Sequence, residues 1–288
     1  MPVHDDLGTR MKEFYEGVPK TRLMRRTPVA IRIDGKAFHT LTRGFQKPFD
    51  PVLMDAMQRT MKYLCKNIEG CKFGYSQSDE ITLILIDYQK FTSGAWFDYE
   101  VQKIASISAS MATMAFNKYF TENVEKYNAG VYPYEKGNGI QANIYLAAVD
   151  KGACFDARCF NIPKEEVANL IYWRQLDATR NSIQMVGQAY FSHKELQNKS
   201  CNDIQNMLLT QKDINWNSFP TDCKRGAACI KTTKEVMTMN FSSDFDKPLR
   251  SPLTSGTLTF SGWKIDKEMP ILKEDWNYIN QFICVGEE

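Results

Sequence analysis

Val29-Ala30-Ile31-Arg32-Ile33-Asp34-Gly35 is a β-branched run that stops abruptly at an Asp-Gly pair. Apolar β-branched residues suit a pleated, half-buried strand, and Asp-Gly is a turn signal. Downstream, Lys47-Pro48-Phe49-Asp50-Pro51 reads as a turn leading into a helix, with Asp50 as its N-cap and Pro51 at the first helical position. Leu53, Met57, Met61, Leu64 and Ile68 then recur at helical spacing until Glu69-Gly70. Two more strands follow, Lys72 to Ser76 and Ile81 to Asp87, flanking the hairpin tip Gln77-Ser78-Asp79-Glu80. The second carries apolar residues on both faces, which places it centrally in a covered sheet.

Further out, Lys103 to Phe120 is predicted as a helix striped by Ile104, Ile107, Met111 and Met114. Residues 121–153 show no clean period and are expected to form an excursion. Cys154 to Ile162 is a fourth strand, and Pro163 with Glu165 and Glu166 opens another helix. Asp5 to about Arg25 reads as a helix followed by a basic loop. The order β-α-β-β-α-β predicts an α+β fold: a ferredoxin-like palm domain with added helices and a C-terminal extension. The expected division is a palm at 1–162, preceded by the basic helix, and a helical or mixed RNA-contacting region at 163–288.

Composition bounds the class. The chain has 288 residues, 43% of them hydrophobic and 24% charged, without a repeat or a low-complexity run. Its longest aliphatic strand-like run, Ile81 to Ile86, falls far short of the roughly 20 residues of a membrane helix. Asp5 and Asp6, with no apolar core around them, argue against a secretory signal, so a cytoplasmic enzyme is expected. Lys and Arg (36) nearly balance Asp and Glu (34), for a net charge of +2. Residues 1–32 are locally basic: Arg10, Lys12, Lys20, Arg22, Arg25, Arg26 and Arg32 oppose only Asp5, Asp6, Glu13 and Glu16. Such a segment suits phosphate contact or a solvated helix face. Eight cysteines form no C-x-x-C pair, and only three histidines are present, so a zinc site is not expected and buried free thiols are.

The chemistry is expected at two turns. In this topology the first strand lies beside the third, so Asp34 and Asp79 converge at one sheet edge. Two carboxylates about 4 Å apart repel by roughly 4 kcal/mol at an effective dielectric near 20. A shared proton or a cation must offset that cost, and with so little His or Cys available an oxygen-only site points to Mg²⁺. Gly35 permits close backbone approach to a metal or phosphate, and Lys36 and His39 follow as donors. Adjacent strand residues face opposite sides, so Asp79 takes the metal and Glu80 a supporting role. The alternative is an ordinary turn and a solvated hairpin tip.

Together these stretches resemble the tRNA-His guanylyltransferase family, including its bacterial and archaeal "like" branch of 3′–5′ polymerases. The likeness rests on Arg32 to His39, Lys47-Pro48-Phe49-Asp50 and Tyr75 to Glu80. It continues through Phe155-Asp156-Ala157-Arg158, Trp173-Arg174-Gln175 with Asp177 and Asn181, and Lys224-Arg225-Gly226, covering about Leu7 to Thr232. It implies two Mg²⁺ ions held by Asp34, the Gly35 carbonyl and Asp79, with Glu80 and Lys47 also in the catalytic set. A nucleoside triphosphate, ATP, GTP or another, would lie along Asp34, Gly35, Lys36, Ala37, Phe38 and His39 and against Ser78 and Asp79. Lys47 matches a lysine placed near the activating triphosphate. tRNA is the implied partner, no membrane is involved, and a homotetramer is implied. Arg174, Asp177 and Asn181 share one helix face and become candidates for RNA or triphosphate contact. Arg22, Arg25, Arg26, Lys103, Lys224 and Arg225 join them, whereas Trp173 is assigned to core packing.

One departure bears on substrate. Thr179-Arg180-Asn181-Ser182 stands where eukaryotic members carry His-Ile-Asn-Asn, which favours the branch that repairs 5′-truncated tRNA over one dedicated to guanosine addition. Two rival readings share the fold: a palm-type nucleotide cyclase and a tRNA-binding protein without catalysis. The long C-terminal half opposes the first, and the joint presence of Asp34, Gly35, Ser78 and Asp79 opposes the second.

Overall fold

The computed structural model describes residues 6–131, 139–238 and 256–284. In chain order the elements are α1 (Asp6–Met11), β1 (Val29–Gly35), α2 (Phe38–Leu41), α3 (Pro51–Asn67), β2 (Cys71–Gln77) and β3 (Glu80–Leu85). Then come α4 (Val101–Ala129), α5 (Gly139–Lys151), β4 (Phe155–Asn161), α6 (Val167–Tyr190), α7 (His193–Leu196), α8 (Cys201–Lys212) and α9 (Thr221–Arg225). β5 (Ala227–Thr238), β6 (Gly256–Asp266) and α10 (Asn277–Ile283) complete the described chain.

The antiparallel sheet has the order β4-β1-β3-β2-β5-β6. Its first four strands are the expected βαββαβ core, and β3 is buried along its whole length, as its two-faced apolar sequence predicts. The chain's later part adds β5 beside β2 and β6 beyond it, extending the same sheet rather than standing apart from it.

Strand alternation splits the packing into two cores. Ile31, Ile33, Ile81 and Leu83 face α3 and α4, where Met57, Met61, Leu64, Phe116 and Phe120 cover them. Ala30, Ile84, Phe73 and Tyr75 face the other way, toward Val167 and Ile171 of α6 and Ile279 and Ile283 of α10. A third cluster, Ile183, Val186, Ile204, Leu208 and Trp216, joins α6 to α8. Each fully buried aliphatic side chain contributes about 1.5–3 kcal/mol, so both faces of β3 are fixed strongly enough to hold its turn in place.

Several expectations need correction. The stretch 121–153 is largely helical: α4 runs to Ala129, and α5 follows after the undescribed residues 132–138. α5 buries only Tyr145 and Ala148, too narrow a stripe to print a period on the sequence. The N-terminal segment, by contrast, is as expected: its helical turns end at Glu16 and a basic loop follows. The thiols are free, but only Cys65, Cys71 and Cys229 are buried, while Cys154 and Cys284 are exposed.

Candidate active site

Two turns meet at the C-terminal end of β1. The β2–β3 hairpin turns through Ser78-Asp79, with Ser78 in the left-handed region at φ 50°. The Gly35 amide donates to the Asp79 carbonyl at 3.1 Å, and the Lys36 amide donates to the Cys154 carbonyl at 2.9 Å. These bonds tie the Asp34-Gly35 turn to both neighbouring strands. A Cβ on Gly35 would sit 2.3 Å from the Phe38 ring, so only glycine lets that ring close over the turn. Phe38 itself is buried against Phe116 and Phe155, which makes the turn a packed structure and not a loose loop.

Burial raises the Asp34 carboxyl above its ordinary range, and the charges of Glu80 and Asp156 add to it while Arg158 and Arg32 oppose. The Asp79 carboxyl is likewise raised, by burial first and by the charge of Asp34 among the further causes. Both carboxyls are thus raised chiefly by burial, and the charge of Asp34 adds to the rise at Asp79. Among the described residues no cluster of three or more His, Cys, Asp or Glu forms a ready-made metal cage. Mg²⁺ typically takes one or two carboxylates and completes its shell with waters and substrate phosphates. Asp34, Asp79 and the Gly35 carbonyl fit that mode of binding, in which the triphosphate brings the remaining ligands.

Beside the turns lies an open cleft of about 330 Å³, lined by Phe38, His39, Lys47, Ser78, Asp79 and Met185 among others. This is room for a nucleotide. Lys47 is exposed and makes no ion pair among the described residues, so its charge is available to a phosphate. A smaller pocket of about 80 Å³ adjoins it and brings Asn181 toward Ser78. Asp50 underlies both. It caps α3 by accepting from the Leu53 amide at 2.9 Å, as predicted, and also accepts from the Gln46 amide at 2.9 Å and the Tyr145 hydroxyl at 2.6 Å. Burial raises its carboxyl, with these hydrogen bonds opposing. The Lys47 loop is thereby anchored to α3 and α5, an arrangement the sequence did not disclose because Tyr145 lies far along the chain.

Glu80 is buried and its carboxylate is fully engaged. Arg174 donates from Nε to Oε1 at 2.7 Å and from Nη2 to Oε2 at 2.8 Å, and Arg32 Nη2 donates to Oε2 at 2.8 Å. Arg174 also reaches Asp177 at 2.9 Å. The helix-face triad of the sequence therefore divides. Arg174 turns inward to clamp the β3 end, and Asp177 is held by Arg174 and Arg180. Asn181, which lies 3.4 Å from Asp177, faces the pocket.

The other proposed cations do not gather here. Arg25 pairs with Asp87 at 2.6 Å and Asp98 at 3.2 Å, Arg22 pairs with Asp98, and Lys103 lies 3.9 Å from Glu100. Arg26 donates its backbone amide to Asp87. Asp87 follows β3 at the end remote from Glu80, so this group sits about 20 Å from Asp34 at the strand rise of roughly 3.3 Å per residue. Lys224 is buried, donating to the Asn217 carbonyl at 2.6 Å. The Arg225 carbonyl accepts from the Tyr75 hydroxyl at 2.6 Å. Arg225 thus holds the end of α9 onto β2, while Lys224 ties it to the Asn217 loop. Trp173, assigned above to the core, is 52% exposed. Asp156, which the sequence had offered only within a motif, lies opposite Asp34 in the β1–β4 ladder and its charge acts on the Asp34 carboxyl.

Residues 8–163 match the family model described as tRNAHis guanylyltransferase. A bacterial tRNA(His) guanylyltransferase-like protein solved in complex with ATP is 40% identical, with a TM-score of 0.76, and the match covers 97% of this chain and all of that one. The corresponding GTP complex matches at 37% identity and a TM-score of 0.71, covering 98% of this chain and all of that one. The tRNA(His) guanylyltransferase of Saccharomyces cerevisiae is 26% identical over 235 residues, 76% of this chain and 88% of that protein.

Proposed function

The chain belongs to the tRNAHis guanylyltransferase family and is a nucleotidyltransferase, and from that premise we propose that it extends tRNA at the 5′ end in the 3′–5′ direction. The observation that carries the reading is the pair of turns that brings Asp34 and Asp79 together beside a nucleotide-sized cleft. The ATP- and GTP-bound relatives support nucleoside triphosphates as its substrates.

The proposed chemistry has two steps. The tRNA 5′-phosphate attacks the α-phosphorus of ATP and pyrophosphate leaves, giving an adenylylated end. The 3′-hydroxyl of the incoming nucleotide then attacks the activated 5′ phosphorus, and AMP leaves. Phosphoryl transfer of this kind needs positioned charge more than a nucleophilic side chain. When bound between Asp34, Asp79 and the Gly35 carbonyl, two Mg²⁺ ions would supply Lewis-acid stabilisation of the attacking and leaving oxygens. Ser78, His39 and the turn after Gly35 line the triphosphate, Lys47 neutralises the activating one, and Asn181 closes the pocket from α6. Repair of 5′-truncated tRNA is the favoured role. A templated nucleotide is held by its base pair, so the protein needs only to grip phosphates and A-form backbone.

Lys47 provides the test. Its replacement, Lys47→Ala, is expected to lower kcat/KM about 100-fold on 5′-monophosphorylated truncated tRNA, the cost of losing one preorganised charge donor. On 5′-triphosphorylated RNA, which needs no activation, activity should stay within about threefold of wild type. Equal loss on both RNAs would remove Lys47 from the activation step, and a wild type inert on both would overturn the function.

A further inference from the structure

Trp173 stands on α6, packed against two guanidiniums and 52% exposed. The Arg174 guanidinium lies 4.6 Å from its ring centroid and the Arg32 guanidinium 5.3 Å. These are the same two groups that clamp Glu80, so the ring roofs a buried ion cluster. Roofing accounts for the covered part only; more than half of this large aromatic side chain remains exposed.

Its surroundings are an open shelf of paired charges. Arg32 sits opposite Arg158 across the β1–β4 ladder, and β4 is the edge strand. Arg158 is exposed and, among the described residues, pairs only with the equally exposed Asp156, at 3.2 Å, a contact worth little in water. Asp34 lies two residues beyond Arg32 on the same face of β1, about 7 Å along the strand. The acidic groups near the ring are already engaged: Glu80 by Arg174 and Arg32, Asp177 by Arg174 and Arg180, and Asp156 by Arg158. A flat ring packed on guanidiniums, with the exposed Arg158 nearby and set beside the candidate reacting carboxylates, matches single-stranded nucleic acid. Every base offers a π-face to stack, and Arg158 meets its phosphates.

We propose that Trp173 stacks an unpaired nucleotide at the acceptor end of the RNA, next to the 5′ terminus being extended, with Arg158 on its phosphate flank. The proposal rests on the tRNA reading above and adds a positioning residue to it. Paired bases of an A-form stem are shut inside the helix, whereas bases at single-stranded ends are free to stack on aromatic side chains. The stacked nucleotide is therefore one left unpaired where the 5′ strand is recessed.

Two acceptor-stem duplexes decide it, one with a recessed 5′ end and an unpaired 3′ tail, the other blunt. For Trp173→Leu, the KM for nucleotide addition to the tailed duplex should rise about tenfold to a hundredfold, the range of one lost base–aromatic stack, with kcat nearly unchanged. Trp173→Phe should restore most of the affinity. In a fluorescence titration, the tailed duplex should quench wild-type tryptophan emission more than the blunt one, and that difference should vanish in Trp173→Phe. Binding of the blunt duplex should be the same in all three proteins. A Trp173→Leu variant that matches wild type on the tailed duplex overturns the stacking role, as does one weakened equally for both duplexes. So does a variant that loses thermal stability alone. A wild type that lengthens neither duplex overturns the parent function instead, so the two failures are distinguishable.

Discussion

Asp34→Asn and Asp79→Asn should each lower kcat/KM for nucleotide addition by roughly 10³-fold or more, while the protein melts at the same temperature or higher. The loss follows from emptying a site whose ions supply several kcal/mol of transition-state stabilisation. The stability follows from the raised carboxyls. A group whose pKa is higher folded than unfolded makes the native state bind more protons between the two values, so its charged form weakens folding at neutral pH. Without Mg²⁺, wild-type stability should therefore gain from these groups as the pH falls through their raised range, and asparagine should remove that gain. Thermal melts across pH, with turnover at saturating Mg²⁺, check both halves. Near-normal turnover in either variant would remove that carboxylate from the reaction.

Glu80 should behave differently from its neighbour. Glu80→Ala leaves Arg174 and Arg32 without their shared carboxylate beneath Trp173, and breaking a buried pair in this way costs about 3–5 kcal/mol. The melting temperature should fall on the order of 10 °C, with the Mg²⁺ concentration for half-maximal activity unchanged. Glu80→Met combined with Arg174→Leu and Arg32→Leu, which replaces all three clustered charges by apolar groups, should recover much of the stability. An unchanged melt together with a raised Mg²⁺ requirement would instead place Glu80 among the metal-holding groups.

The contrast between these acids shows what was legible in the chain. Asp34 closes one strand and Asp79 sits in the turn just before another, both strands announced by their apolar runs, and the βαββαβ order brings the two turns together. Asp50 likewise declares its cap through the Pro51 that follows it. Glu80 and Arg174 are different: they are 94 residues apart, and the helical spacing of Arg174, Asp177 and Asn181 describes one helix without saying what lies beneath it. The basic residues near the N-terminus had the same weakness, because local charge counts omit Asp87 and Asp98, which neutralise Arg22 and Arg25 from a distance. β5 escaped notice because Lys231-Thr232-Thr233-Lys234-Glu235 is polar throughout and lacks the alternating apolar face that marks a strand. Trp173 was misplaced because apolar character alone does not separate a core residue from a platform.

Comparison of kcat/KM on a tRNA lacking one 5′ nucleotide with that on full-length tRNA-His, in one buffer with ATP, Mg²⁺ and labelled nucleoside triphosphates, tests the central claim most directly. The account predicts a lengthened RNA, a ratio well above one in favour of the truncated substrate, and an added base that switches when the opposing base is changed. A ratio at or below one, or guanosine added whatever stands opposite, would contradict the repair role. Cyclic nucleotide or bound but unextended RNA as the only product would contradict 3′–5′ addition itself.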